Sequence, residues 1–310
     1  MRISRVTGPG PMEAMRPCRE RRGTAASEAM SKADWRRYED ILSSRLSAPP
    51  DDLLVEAATD MRSVIEGAYR KSGKAGVLSA IRSKLVIAPV QEWFVTRLSE
   101  AAGRRGGAMT RLSGGEYRRA GSAGRLPQNP FIVTERVLRG GTIEWLNVDV
   151  VAFERSRPVI GATVRSQMSS FGNNFNNHIT HMTGEMCITR QADPRLVWGA
   201  LYLLPTVSPM ATLAGDREQA PNVEKCLKTF LGLGDMRTPT GRLCNANRVC
   251  ALVVDFHWGQ AGVAPEVVDT VGGLLGRGLV SPKFAVGLSF ERLAPAGFAD
   301  TLASEGLRRC

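Results

Sequence analysis

Asp149 lies inside the apolar run Leu146–Phe153, and Thr163, Val164 and Arg165 close a second apolar run fourteen to sixteen residues later. An aspartate and a cation on paired strands are two of the parts that metal-assisted phosphodiester cleavage needs. Mg²⁺ takes hard oxygen ligands, and a positive side chain steadies the charge that develops on the phosphate. Side chains alternate along a strand, so Thr163 and Arg165 share a face with Asp149 while Val164 packs inward. Thr163 stands where a second carboxylate is wanted, and Arg165 where a lysine is. Arginine keeps its charge but does not give up a proton, so it suits a phosphate and not the role of base. The nearest replacement acid is Glu185, which falls beside the apolar stripe of the following helical segment, three residues after Met182. Gln167 adds a polar group just past the strand. The plainer alternative is a strand-end salt bridge between Asp149 and Arg165, with Glu185 an ordinary helix acid.

The segment "VIGATVRSQMSSFGNNFNNHITHMTGEMCITRQADPRLVWGALYLLP" resembles the PD-(D/E)XK restriction endonuclease-like nucleases. It is similar in particular to a bacterial type II group with a Val-Arg-Ser-Gln-Leu-Ser-Ser-like segment, a Phe-containing helix with a later glutamate, and a following apolar strand. The resemblance runs from about Asp149 to Pro205 and more faintly through "CALVVDF"; the N-terminal helices lie outside it. It implies a restriction-endonuclease-like α/β core, a mixed central β-sheet flanked by helices. It also implies a sequence-specific, Mg²⁺-dependent type II DNA endonuclease that hydrolyses duplex DNA. Some nucleases of this fold carry the second acid on the helix after the strand, the place of Glu185. By the resemblance Asp149 and Glu185 are metal ligands, Arg165 holds the lysine position, and Gln167 belongs to the site. Cutting both strands calls for two sites and hence a homodimer, with a cognate DNA methyltransferase as a genetic partner. The alternative is a catalytically inactive DNA-binding protein on the same fold, the Thr163 and Arg165 departures marking lost chemistry.

Other residues invite roles. Glu92 precedes a basic stretch and either reaches the metal from behind or is a solvated helix acid. His178, His181 and Glu185 share a helix face open to zinc, but no further ligand cluster joins them. Asp255-Phe256-His257-Trp258 reads as a turn or packing element at a strand end.

The formal net charge of +11 over 310 residues favours a polyanionic partner. The excess is concentrated: six arginines and one glutamate fall between Arg104 and Arg125, among seven glycines from Gly103 to Gly124. This reads as a mobile basic loop over 103–130, with Arg104, Arg105, Arg118 and Arg119 as phosphate contacts. An RNA-binding or assembly role through the same arginines would call for stacking aromatics. Aromatics are 6% of the chain, and Tyr117 alone lies in the loop. The six cysteines form no Cys-x-x-Cys pair, which fits reduced thiols in a cytoplasmic protein. No apolar run reaches the roughly 20 residues of a membrane helix.

These residues must be positioned by a helical region followed by an α/β core. Residues 1–30 read as a basic disordered leader, which makes Met30 a second candidate start. Region 31–102 is helical, with Trp35, Tyr38, Ile41, Leu42 and Leu46 on one helix face, then helices over 53–69, 76–85 and from Pro89 to Gly103. The core spans 131–310. Strands are expected at "FIVTERVL", "TIEWLNVDVVAF", "RPVIGATV", "RLVWGALYLLP", "RVCALVVDF" and "KFAVGLSF". Helices are expected over Phe171–Met186, Val223–Leu231, from Pro265, and near Phe298–Leu307.

Overall fold

The computed structural model describes residues 50–105, 109–138, 146–155, 157–169, 171–216, 221–235 and 248–307. The expected leader and the first helix, over 31–49, lie outside them. Helix α1 (Pro50–Arg82) and helix α2 (Lys84–Gly103) form the N-terminal region. The break expected near residue 70 is a kink in α1, where Ser72 and Gly73 leave helical geometry and Gly73 takes φ +55°. Only glycine enters that region without strain. Helix α2 begins at Lys84, five residues before Pro89, and carries the proline inside it.

Seven described strands form one mixed sheet in sequence order: β1 (Thr110–Leu112), β2 (Phe131–Leu138), β3 (Leu146–Glu154), β4 (Arg157–Ser166), β5 (Val197–Pro205), β6 (Arg248–Asp255) and β7 (Glu266–Val267). The hairpin β3–β4 and its neighbour β2 are antiparallel, whereas β4, β5 and β6 run parallel. Parallel neighbours need crossovers. Helix α4 (Phe171–Ala192) supplies the first; α5 (Pro209–Ala214) and α6 (Val223–Asp235) lie on the second. The central strands read as continuous apolar runs because both faces are covered.

One face packs on α1, α2 and α9 (Phe298–Gly306) through Val150, Ala152, Ile160, Ala162, Val164 and Leu201. The other packs on α4 and α6 through Val151, Phe153, Trp198, Tyr202, Met182 and Phe230. On that second face Trp198 packs against Gly161, where a Cβ would come within 2.8 Å of the indole.

Three expectations are corrected. The mobile basic loop over 103–130 contains β1 and a helix, α3 (Gly114–Ser122). Ser113 and Glu116 make a reciprocal capping box, and Tyr117 stacks on Phe153 at 5.4 Å. Where a helix is expected from Pro265, Glu266 and Val267 instead pair with the edge of β6, and Thr270 caps the shorter α7 (Val271–Gly276). "KFAVGLSF" is not a strand: Ser281 caps α8 (Pro282–Val286), with the proline in its first turn. β7 already covers the β6 edge, and Val286 points into solvent at 92% exposure.

Candidate active site at a fork in the sheet

The rungs between β3 and β4 end at Val150 and Ala162. Beyond that pair β3 stays with β2 as far as Leu146, and β4 stays with β5 as far as Ser166. The sheet therefore forks, and Asp149 and Thr163 are the first residues past the last rung. A fork strands backbone groups, which must find other partners. The Asp149 carboxylate supplies one: its Oδ2 accepts from the Val164 amide at 2.8 Å and from the Thr163 hydroxyl at 3.1 Å. The Asp149 carbonyl accepts from the side-chain amide of Gln91, a buried residue of α2, at 3.1 Å. Asp149 Oδ1 has no hydrogen bond among the described residues.

Thr163 and Arg165 share the face of Asp149, while Val164 packs on the opposite core, as strand alternation requires. Arg165 donates from Nε to the Thr163 hydroxyl at 3.0 Å and from its terminal nitrogen to Glu185 Oε1 at 2.7 Å. One chain of contacts thus joins Asp149, Thr163, Arg165 and Glu185. The Glu185 carboxyl is pushed above its ordinary range, first by burial; the Arg165 cation opposes this and the charge of Asp149 adds to it. Two acids that feel each other across a guanidinium form a site for positive charge.

Gln167 is buried and accepts from the Tyr202 hydroxyl at 2.7 Å, and the same hydroxyl meets His178 Nδ1 at 2.8 Å. Gln167 therefore stands behind the site. Glu92 is not a solvated acid: it is 2% exposed and paired with Arg111 on β1. Its second oxygen has no hydrogen-bond partner among the described residues. The histidines and Glu185 do not turn to one point, for His178 meets Tyr202 and Glu185 meets Arg165. At the end of β6 the turn reading holds: the amide of His257 donates to Asp255, and His257 takes φ +48°.

The arginines divide. Arg118 and Arg119 are exposed on α3, whose Tyr117 packs on the same sheet face as Arg165 and Glu185. Arg104 is held by Asp300 of α9 at 2.7 Å, and Arg105 lies in the turn after α2. Gln91 and Tyr202 were not singled out by the sequence. The signal for Gln91 was the pair Gln91-Glu92 inside an apolar helix stripe, and for Tyr202 the lone hydroxyl in the run "WGALYLLP".

Among the described residues no three His, Cys, Asp or Glu side chains cluster as a metal-binding group. Mg²⁺ commonly uses one or two carboxylates, with water and substrate phosphate filling its other positions. Asp149 Oδ1 and Glu185 are two carboxylates of that kind, and Arg165 would have to leave the glutamate for both to hold an ion. None of the described helices is long and apolar enough to cross a membrane. Compared with family models, with curated proteins and with solved structures, the chain matches none.

Proposed function

We propose that the protein is a Mg²⁺-dependent, sequence-specific DNA endonuclease of the type II restriction kind, on a restriction-endonuclease-like core. The observation that carries the reading is the fork. At the opening between β3 and β4, an aspartate, an arginine and a helix-borne glutamate converge on one sheet face. Asp149 and Glu185 would hold the metal, which when bound supplies a Lewis acid for the phosphate and a more acidic water. Thr163 and the Val164 amide fix Asp149 by gripping Oδ2 and leave Oδ1 to the ligand. Arg165 exchanges Glu185 for a phosphate oxygen, a partner its planar fork suits equally well. The exposed Arg118 and Arg119 flank the same face and extend the positive field along a polyanion. Double-strand cleavage calls for a homodimer, and a self-protecting host for a methyltransferase.

Incubation of the purified chain with a broad panel of duplex DNAs tests this reading. Discrete fragments appear with Mg²⁺ and vanish with EDTA. Tight binding with no cut in any DNA selects the second reading, a DNA-binding protein without catalysis. The contact that favours that second reading is the closed pair of Arg165 on Glu185.

A further inference from the structure

A hydrolytic site needs a group that takes the proton of the attacking water, and Arg165 cannot. Resting on the hydrolytic reading above, we infer that His178 is the general base, with its imidazole held in the working tautomer by Tyr202 and Gln167. Arg165 and Tyr202 are register partners on the parallel strands β4 and β5. Their side chains therefore stand side by side on the face covered by α4. His178 comes down from α4 onto Tyr202, with its Nδ1 2.8 Å from the hydroxyl. This seats the imidazole beside the guanidinium that reaches Glu185.

The tautomer follows from counting protons. Tyr202 has one hydroxyl proton and donates it to Gln167 Oε1 at 2.7 Å. The hydroxyl can then only accept from His178, so Nδ1 carries the hydrogen. Nε2 is left with a lone pair and has no hydrogen bond among the described residues. Tyr202 and Gln167 are both buried, so the pair is a rigid second support and not a surface contact.

The charges around the ring favour a neutral resting base. Burial first, then Arg165 and His181, hold His178 below its ordinary range. Tyr202 beneath it stays protonated, since burial pushes its hydroxyl up. Cys226 and Lys225 of α6 complete the surroundings: burial also raises the Cys226 thiol, to about 12, and Lys225 sits 5.9 Å over Phe175. A phosphate that takes up the charge of Arg165 removes one of these repulsions, so proton affinity at Nε2 rises when substrate binds.

In the step itself the water oxygen bonds to phosphorus, and its proton passes to Nε2. The bond from phosphorus to the leaving ester oxygen breaks, and that oxygen keeps the electron pair and takes a proton from solvent. The imidazolium then returns its proton to solvent. No redox change occurs and no other reactant is needed.

The chain has three histidines, so an ¹⁵N-labelled sample gives a readable imidazole spectrum. His178→Gln assigns the signal. A protonated Nδ1 and bare Nε2 are expected at neutral pH, with Tyr202→Phe shifting the ring towards the Nε2–H form. A wild-type Nε2–H signal overturns the inference, because the amide of Gln167 would then face the other way and no lone pair would be offered. The second arm is the pH dependence of plasmid cleavage with Mg²⁺. His178→Gln is expected to lower kcat roughly 10²–10⁴-fold and to remove the acid limb of the profile, with DNA affinity kept. An unchanged rate and acid limb overturn the base role while leaving the nuclease intact. A wild-type chain that binds but never cuts instead overturns the nuclease reading and the base role with it, a result visibly different from the other.

Discussion

Two glutamate–arginine pairs join a helix to a strand on opposite faces of the same sheet, and they differ in nearly everything else. Glu92 of α2 meets Arg111 of β1 with the acid side chain 3% exposed, and one carboxylate oxygen lacks a partner among the described residues. Glu185 of α4 meets Arg165 of β4 with the arginine side chain 37% exposed, next to a fork that holds another carboxylate. The first pair is fixed by burial: the arginine cannot leave without stranding the glutamate in a medium that solvates it poorly. The second pair is the one the proposed reading would have exchange. Its arginine is partly exposed, has a threonine as a second acceptor and a neighbouring acid that repels Glu185. Residue type is the same in both, so it is the surroundings that separate a buried pair from one open to exchange.

The largest effect expected from breaking this contrast is on the buried pair. Glu92→Gln should cost about 3 kcal/mol, the low end for losing one partner of a buried pair, because Arg111 touches solvent. Urea unfolding would read this as a lower midpoint at unchanged slope. The double change Glu92→Leu with Arg111→Met should regain most of the loss; a double variant as unstable as the single would make the pair more than a charge balance.

At the fork the effect should fall on cleavage and not on folding. Asp149→Asn and Glu185→Gln should each lower kcat by roughly 10²–10³-fold, the scale of removing one group that stabilises transition-state charge. Binding should persist, because an asparagine oxygen still accepts from the Val164 amide. Normal cutting by Glu185→Gln beside a dead Asp149→Asn would make the Arg165 pair structural, like that of Glu92.

A smaller effect concerns salt. Replacing Arg118 and Arg119 with Ala should flatten the plot of log affinity against log salt by up to about 0.9 per lost phosphate contact. Replacing Arg104 should change it less, since Asp300 already holds that charge. Equal effects from both sets would remove the division between them.

The smallest effect is on stability against pH. The folded Glu185 carboxyl binds its proton more tightly than the unfolded one, so its contribution is greatest in acid and is lost as pH rises through its raised range. Glu185→Gln should therefore unfold at a slightly higher temperature than wild type near pH 8, and the gap should close as pH falls towards 4.5. A variant less stable than wild type at pH 8 would show that the Arg165 pair stabilises the fold after all.

Much of this arrangement was legible in the residues. The short β-branched and aromatic runs between turn residues pointed to strands β2 to β6, and the alternation of Thr163, Val164 and Arg165 placed two side chains with Asp149 and one in the core. Glu185 was read as the displaced acid from its place beside the Met182 stripe, and it does meet Arg165. Local signals of this kind survive because alternation and helical spacing act over a few residues.

What the sequence by itself determined is therefore the element types along most of the core, the shared face of Asp149, Thr163 and Arg165, and the basic excess around α3. Tertiary structure alone decided the fork, because a ladder ends where two strands find better partners elsewhere, a choice made by β2 and β5 and not by the hairpin. It decided that the Gly-Arg stretch would order into a helix anchored by Tyr117 on Phe153. It decided that "PEVVDTV" would give an edge strand and "KFAVGLSF" a capped helix, since one sheet edge was open and was then filled. It also decided that Glu92 would be buried and Glu185 left within reach of solvent. Burial depends on what packs over a residue from distant parts of the chain, and no local pattern carries that information.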